Sequence, residues 1–95
     1  MTSVLKAAQA GTLESNDIMI IVEPGAGGIT LDLESIVKKQ FGAAISRTIV
    51  EAVKERGITD INIKAIDKGA LDYTIQARLA TALSRAGLHP NGEVS

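Results

Sequence analysis

Ninety-five residues allow one domain, and a chain of this size buries roughly 60–70% of the surface its unfolded form exposes, enough for one core but not for a core with a deep, enclosed active site. Ten basic and eleven acidic residues leave a net charge of −1, and Phe41 and Tyr73 are the only aromatics, which excludes the basic, aromatic-studded face of a nucleic-acid binder. With no cysteine there is no disulfide framework, thiolate zinc site or nucleophilic thiol, and no apolar run approaches the roughly 20 residues that span a bilayer.

The first ten residues, Met1 to Ala10, carry one lysine and too short an apolar stretch for a signal peptide. Ala7 to Leu13 is rich in small residues and reads as a weak strand. Glu14-Ser15-Asn16-Asp17 then reads as a turn, because short polar side chains bond nearby backbone and Asn tolerates positive φ. Ile18-Met19-Ile20-Ile21-Val22 is a β-branched run that suits a central strand covered on both faces. Glu23 to Gly28 is a loop. Ile29, Leu31 and Leu33 alternate with Thr30, Asp32 and Glu34, the period of a strand with one wet face. Three strands with short connections predict an antiparallel meander.

Ser35 is the expected N-cap of a long helix. Val37, Phe41, Ala44, Ile45, Thr48, Ile49, Ala52 and Val53 recur at steps of three and four and form its apolar stripe. Gly57 ends that helix as the C′ residue. Ile61, Ile63 and Ala65 alternate with Asn62 and Lys64 as a fourth strand, and Asp67-Lys68-Gly69 turns the chain. A second helix is predicted from about Ala70 to Ala86, burying Leu71, Ile75, Leu79, Ala82, Leu83 and Ala86, with Gly87 closing it. Residues 87–95, containing Pro, Asn and Gly, are expected to form a flexible tail. The fold class that follows is α+β, a four-stranded, mostly antiparallel sheet with two helices on one face, in the order β-β-β-α-β-α. The expected domain is a single one over residues 1–95.

Few residues promise chemistry. The Gly25-Ala26-Gly27-Gly28 loop lacks the following helix N-terminus that a phosphate cradle requires, and it reads as a plain hairpin connection. His89 is the only histidine and lies in the tail, so no transition-metal site is expected. Asp32, Glu34, Asp67 and Asp72 are spread over edges and loops and read as solvated, with no sheltered pocket to shift a pKa. No catalytic residue is assigned. Ser15 stands apart by its setting. Its hydroxyl is expected at a turn between paired strands, open to a modifying enzyme, although a serine in a turn is common and no base lies near it in sequence.

The run Gly11-Thr12-Leu13-Glu14-Ser15-Asn16-Asp17-Ile18-Met19-Ile20 resembles the acyl carrier protein, or gamma subunit, of bacterial citrate lyase. The likeness continues in Val37-Lys38-Lys39-Gln40-Phe41-Gly42, in Asp67-Lys68-Gly69-Ala70-Leu71-Asp72 and in Ala77-Arg78-Leu79, and covers nearly the whole chain. The resemblance implies a non-catalytic carrier. Ser15 would be esterified through a phosphodiester to a 2'-(5''-phosphoribosyl)-3'-dephospho-CoA arm whose thiol carries acetyl and then citryl while citrate is cleaved to acetate and oxaloacetate. It implies as partners the citrate lyase alpha and beta subunits and the holo-carrier synthase that attaches the arm, with no nucleic acid, membrane or metal, in the bacterial cytoplasm. Asn16 stands where glycine is expected in many members, and positive φ at Asn would preserve the turn. The chain lacks the Asp-Ser-Leu helix start of ordinary four-helix acyl carriers and should not share their fold. The carrier subunit of malonate decarboxylase and an unmodified α+β regulatory or assembly domain are the alternative readings.

Overall fold

The computed structural model describes residues 2–87, so the expected tail beyond Gly87, with His89, lies outside the described residues. The elements are β1 (Thr2–Ser3), β2 (Ala8–Gly11), β3 (Ile18–Pro24), β4 (Ile29–Ser35), α1 (Lys38–Glu55), β5 (Ile58–Asp67) and α2 (Asp72–Arg85). This is the expected α+β order, β-β-β-α-β-α, with the two-residue β1 added in front of it. Gly57 and Gly87 end the helices at φ 75° and 101°, the left-handed conformation that stops a helix and that glycine adopts without strain.

The body of the sheet runs β2-β3-β5-β4. The β2–β3 and β3–β5 pairs are antiparallel, and β4 and β5 are parallel. The short β1 pairs in parallel with the first residues of β5. The expected meander is therefore corrected. Only β2 and β3 form a hairpin; β4, α1 and β5 form a parallel crossover unit, and α1 returns the chain so that β5 enters between β3 and β4. Physically the centre goes to the strand with most to bury. The ten-residue β5 keeps Ile61, Ile63, Ala65 and Asp67 on its inner face, all at most 3% exposed.

The loop after β3 is corrected for the same reason. Instead of turning a hairpin it steps across the start of β5. The Gly28 amide donates to Asp60 Oδ1 (2.9 Å) and the Ile61 amide donates to the Gly28 carbonyl (3.1 Å). A Cβ on Gly25 would stand 2.6 Å from the Ile61 nitrogen, so any side chain there would force the backbone to shift.

Ile18, Ile20 and Val22 of β3, with Ile61, Ile63 and Ala65 of β5, form the floor of the core. Helix α2 packs over β2 and β3, α1 packs over β4 and β5, and the helices touch each other, so both lie on one face of the sheet. Ile45, Ile49 and Val53 of α1 and Ile75, Leu79, Ala82 and Leu83 of α2 fill the space above it. Three expected core residues are not there, and the two large ones are well exposed: Phe41 at 54% and Leu71 at 60%. Helix α1 starts at Lys38, so Phe41 lies in its first turn, where the buried position goes to Gly42. Leu71 precedes α2 as an extended N-cap. Ala44 is likewise exposed. Ser35 ends β4 rather than capping α1; its Oγ accepts from the Val37 amide two residues on (3.1 Å).

Candidate attachment site at Ser15

The β2–β3 hairpin opens into the turn that carries Ser15. At its base Gly11 has φ 96°, and a Cβ there would run into the carbonyl of Ile18, so the two strands close on each other only through glycine. The Asp17 amide donates to the Glu14 carbonyl (3.2 Å), closing a four-residue turn with Ser15 and Asn16 at its centre. Asn16 has φ 65°, the positive value expected of this position and tolerated by Asn because its short side chain bonds locally. Ser15 is exposed, and among the described residues no side-chain hydrogen bond uses its hydroxyl.

Behind Ser15 the turn is braced on several sides. Thr12 Oγ1 accepts from the Glu14 amide (3.2 Å) and donates to Asp17 Oδ2 (2.6 Å). Arg78, on α2, grips the Asp17 carboxylate with both edges of its fork, Nε to Oδ1 at 3.0 Å and Nη2 to Oδ2 at 2.9 Å. The Ile18 amide adds a bond to Oδ1 (2.7 Å). These bonds, led by the Arg78 guanidinium and then by Thr12, hold the Asp17 carboxyl well below the usual carboxylate range. Bidentate Arg–carboxylate geometry fixes orientation as well as adding energy, so α2 sets the angle at which Ser15 is presented.

The backbone supplies a second brace. The Asn16 amide donates to the Lys68 carbonyl (2.8 Å), and the Lys68 amide donates to the Asp17 carbonyl (2.9 Å). The loop between β5 and α2 is thereby stitched to the Ser15 turn. That loop is itself tied down by Asp67, which is 1% exposed. Its carboxylate accepts from Ser35 Oγ (2.7 Å) and from the Ala70 amide (2.9 Å). The expectation that Asp67 is solvated is thus corrected: it faces the core beside Ile18 and Ser35 in the strand register, and it is satisfied by hydrogen bonds as a buried polar group must be. Asp32, Glu34 and Asp72 are exposed.

The residues brought together here come from three distant parts of the sequence: 11–18, 67–70 and Arg78. Sequence reasoning singled out Ser15 and the Asn16 turn but missed Thr12, Asp17 and Arg78 as a working unit. Their only sequence signal was membership of the runs that carry the family resemblance. The arrangement presents one free hydroxyl on a stiff support. Among the described residues no group of three or more His, Cys, Asp or Glu side chains could hold a metal ion. An exposed hydroxyl on such a support is accessible to another enzyme.

Comparison with known proteins gives the family. The acyl carrier family model described as "Malonate decarboxylase delta subunit (MdcD)" matches residues 5–86. The citrate lyase acyl carrier protein of Streptococcus uberis is 53% identical over 83 residues, 87% of this chain and 82% of that one. That of Leuconostoc citreum is 47% identical over 94 residues, 96% of this chain and 97% of that one. A chain in the crystal structure of a Pseudomonas malonate decarboxylase hetero-tetramer in complex with malonate shares the fold at a TM-score of 0.76 and 20% identity, covering 90% of this chain and 89% of that one. The chain belongs to this acyl carrier family and, within it, to the citrate lyase acyl carrier proteins, which are carriers and not catalysts.

Proposed function

We propose that this chain is the acyl carrier subunit of citrate lyase, one carrier domain over residues 1–95. In this reading Ser15 Oγ is joined through a phosphodiester to a 2'-(5''-phosphoribosyl)-3'-dephospho-CoA arm. The observation that carries the reading is the Ser15 hydroxyl itself, exposed and unengaged at the tip of a turn braced by Arg78, Asp17 and Thr12. The group fits what the chain offers: the hydroxyl of an exposed residue on a turn, within reach of a transferase. When bound, such an arm supplies a terminal thiol for acyl carriage; the chemistry on the acyl group belongs to the partner subunits.

The chain's own residues have three tasks. Ser15 Oγ gives up its proton to the attaching transferase as it bonds to the phosphorus of the activated precursor, whose leaving group departs. The Asp17–Arg78 pair and the Asn16–Lys68 backbone bonds keep the turn from folding back, so that the tether starts from a fixed point. A fixed start raises the effective concentration of the tethered group at each partner site. The partners in this reading are the citrate lyase alpha and beta subunits and the holo-carrier synthase, in a bacterial cytoplasm. No helix among the described residues is long and apolar enough to cross a membrane.

A second reading, carrier of malonate decarboxylase, draws on the family model and on the shared fold. The 47–53% identity to citrate lyase carriers favours the first. The test is intact mass of the protein from its native host, followed by mapping of the modified peptide. The mass of one arm on the peptide holding Ser15 is expected. Unmodified native protein, or an arm on a different residue, contradicts the reading. Mixing the loaded carrier with the catalytic subunits of each enzyme separates the two complexes: support of citrate cleavage favours the first, and support of malonate decarboxylation alone favours the second.

A further inference from the structure

Among the described residues six large apolar side chains are more than half exposed: Leu5, Leu13, Ile36, Phe41, Leu71 and Tyr73. Five of the six gather at the Ser15 end of the molecule. Leu13 stands two residues before Ser15. Phe41 and Leu71 both line a cleft of about 420 Å³ between the starts of the two helices, and Tyr73 lies in the first turn of α2. Ile36 is beside the Ser15 turn: a Cβ on Gly69 would stand 3.6 Å from Ile36 Cδ1 and 3.6 Å from Asn16 Oδ1. Leu5 alone lies elsewhere, against Gly87 past the far end of α2, a helix about 20 Å long. Single exposed apolar residues need no explanation, but a cluster marks a surface that a partner covers.

The charge beside this cluster indicates the kind of partner. Helix α1 opens with Lys38 and Lys39, both exposed, and has neither an acidic residue in its first turn nor a side-chain cap. Cations at a helix N-terminus oppose the macrodipole, so helix stability does not account for these two lysines. Helix α2 has the favourable arrangement, with Asp72 in its first turn, at the edge of the same cleft. The exposed carboxylates of this end, Glu14, Glu34 and Asp72, come from the turn, from β4 and from α2, which leaves the α1 flank of the apolar cluster basic. Such a flank complements an anionic partner surface.

We propose that the surface formed by Ile36, Phe41, Leu71 and Tyr73, with Lys38 and Lys39 on its flank, is the docking surface for the transferase that loads Ser15. The inference rests on Ser15 being the attachment point. The two kinds of partner make different demands on the carrier. The catalytic subunits work at the far end of a tether, which brings the acyl group to them without contact at the turn. The transferase has to bring its own reacting centre to Ser15 Oγ, so its surface lies on the residues around the turn. That centre holds a precursor carrying the phosphate charges of a dephospho-coenzyme A derivative, and Lys38 and Lys39 complement such a charge. Apolar side chains of the transferase covering Phe41 and Leu71 remove apolar surface from water.

The experiment measures initial rates of loading by intact mass, with the carrier, the activated precursor and the attaching transferase, over a range of carrier concentrations. Failure of the wild type to load, or loading at another residue, refutes the attachment reading and is seen before any variant is compared. Phe41→Ser and Leu71→Ser, both at exposed positions, should remain folded and raise the KM for the carrier several-fold with little change in kcat. Leu5→Ser, at the far end, should load as the wild type does. The double variant Lys38→Glu, Lys39→Glu separates docking from stability. Acidic residues in the first turn favour the helix, so this protein should melt at or above the wild-type temperature while its KM rises several-fold. The difference in KM should shrink as salt is added, since salt screens exposed charges. An unchanged KM in the lysine variant overturns the proposal, whatever the serine variants do. So does normal loading of variants whose loaded forms then fail to support citrate cleavage by the catalytic subunits, which would assign the surface to those subunits. Wild-type dimers in light scattering that the serine variants lose would assign it to a second copy and overturn the proposal too.

Discussion

At the scale of single residues, the Ser15 turn has the stiff build that the proposed attachment of a flexible group at a defined point requires. Asn16 takes the strain-prone φ, Gly11 allows the strands to meet, and Asp17 collects donors from Thr12, Ile18 and Arg78. The Asp17–Arg78 pair makes a pH prediction. A carboxyl whose folded-state pKa lies below its unfolded value stabilises the fold above that unfolded value, and the contribution is lost as pH falls toward the folded one. The ordinary value is 3.8. Urea melts of wild type and Asp17→Asn should therefore differ most at neutral pH, and the difference should shrink as pH is lowered below about 4. A difference that is constant with pH would show that the Asp17 charge does not brace the turn. Arg78 is 61 positions from Asp17, so no local pattern could pair them. The misreading of Asp67 is different in kind. Ile61, Ile63, Ala65 and Asp67 share one parity along β5, and period two extended by one more step already put Asp67 on the inner face.

At the scale of elements, periodicity located both long helices and the main strands, but it could not say which strands are neighbours. Alternation fixes the face of a strand and leaves its place in the sheet open. The placing of β5 between β3 and β4 depends on the crossover through α1, and the residue that reports it is Gly25. With a Cβ 2.6 Å from the Ile61 backbone, Gly25→Ala should destabilise the protein by about 1–3 kcal/mol through forced backbone movement. Gly27 has nothing within 4 Å of its Cβ position, and Gly27→Ala should change stability by less than about half a kcal/mol. Equal effects in chemical denaturation would contradict the crossing. Within the helices, Ile49 and Leu79 are fully buried. Replacing either by Ala should cost roughly 2–5 kcal/mol, for lost transfer energy and the cavity left behind. Phe41→Ala, at a half-exposed site, should cost about 1 kcal/mol or less. The 3.6-residue stripe included Phe41 because it cannot tell where along its length a helix comes to lie over the sheet.

At the scale of the whole molecule, one aliphatic core holds a single layer of sheet against a single layer of helices, and the working parts gather at one end. Three of the four runs that carry the family resemblance meet there. Asn16 and Asp17 bond to Lys68, and Asp17 to Arg78. Val37 and Phe41 of the remaining run face Gly69 to Asp72 across the apolar cleft. In the proposed reading, the stiffness of this end serves to present one hydroxyl. The account therefore turns on Ser15, and the most direct measurement is intact mass after wild type and Ser15→Ala are incubated with the activated dephospho-coenzyme A precursor and the attaching transferase. The account predicts one arm on wild type, none on Ser15→Ala, and unchanged circular dichroism and melting, since an exposed turn serine contributes little to stability, within about half a kcal/mol. Ser35, which bonds Asp67, and Ser46 and Ser84, within the helices, should stay unmodified in both. An arm found on the Ser15→Ala protein, or mapped to another residue of the wild type, would contradict it.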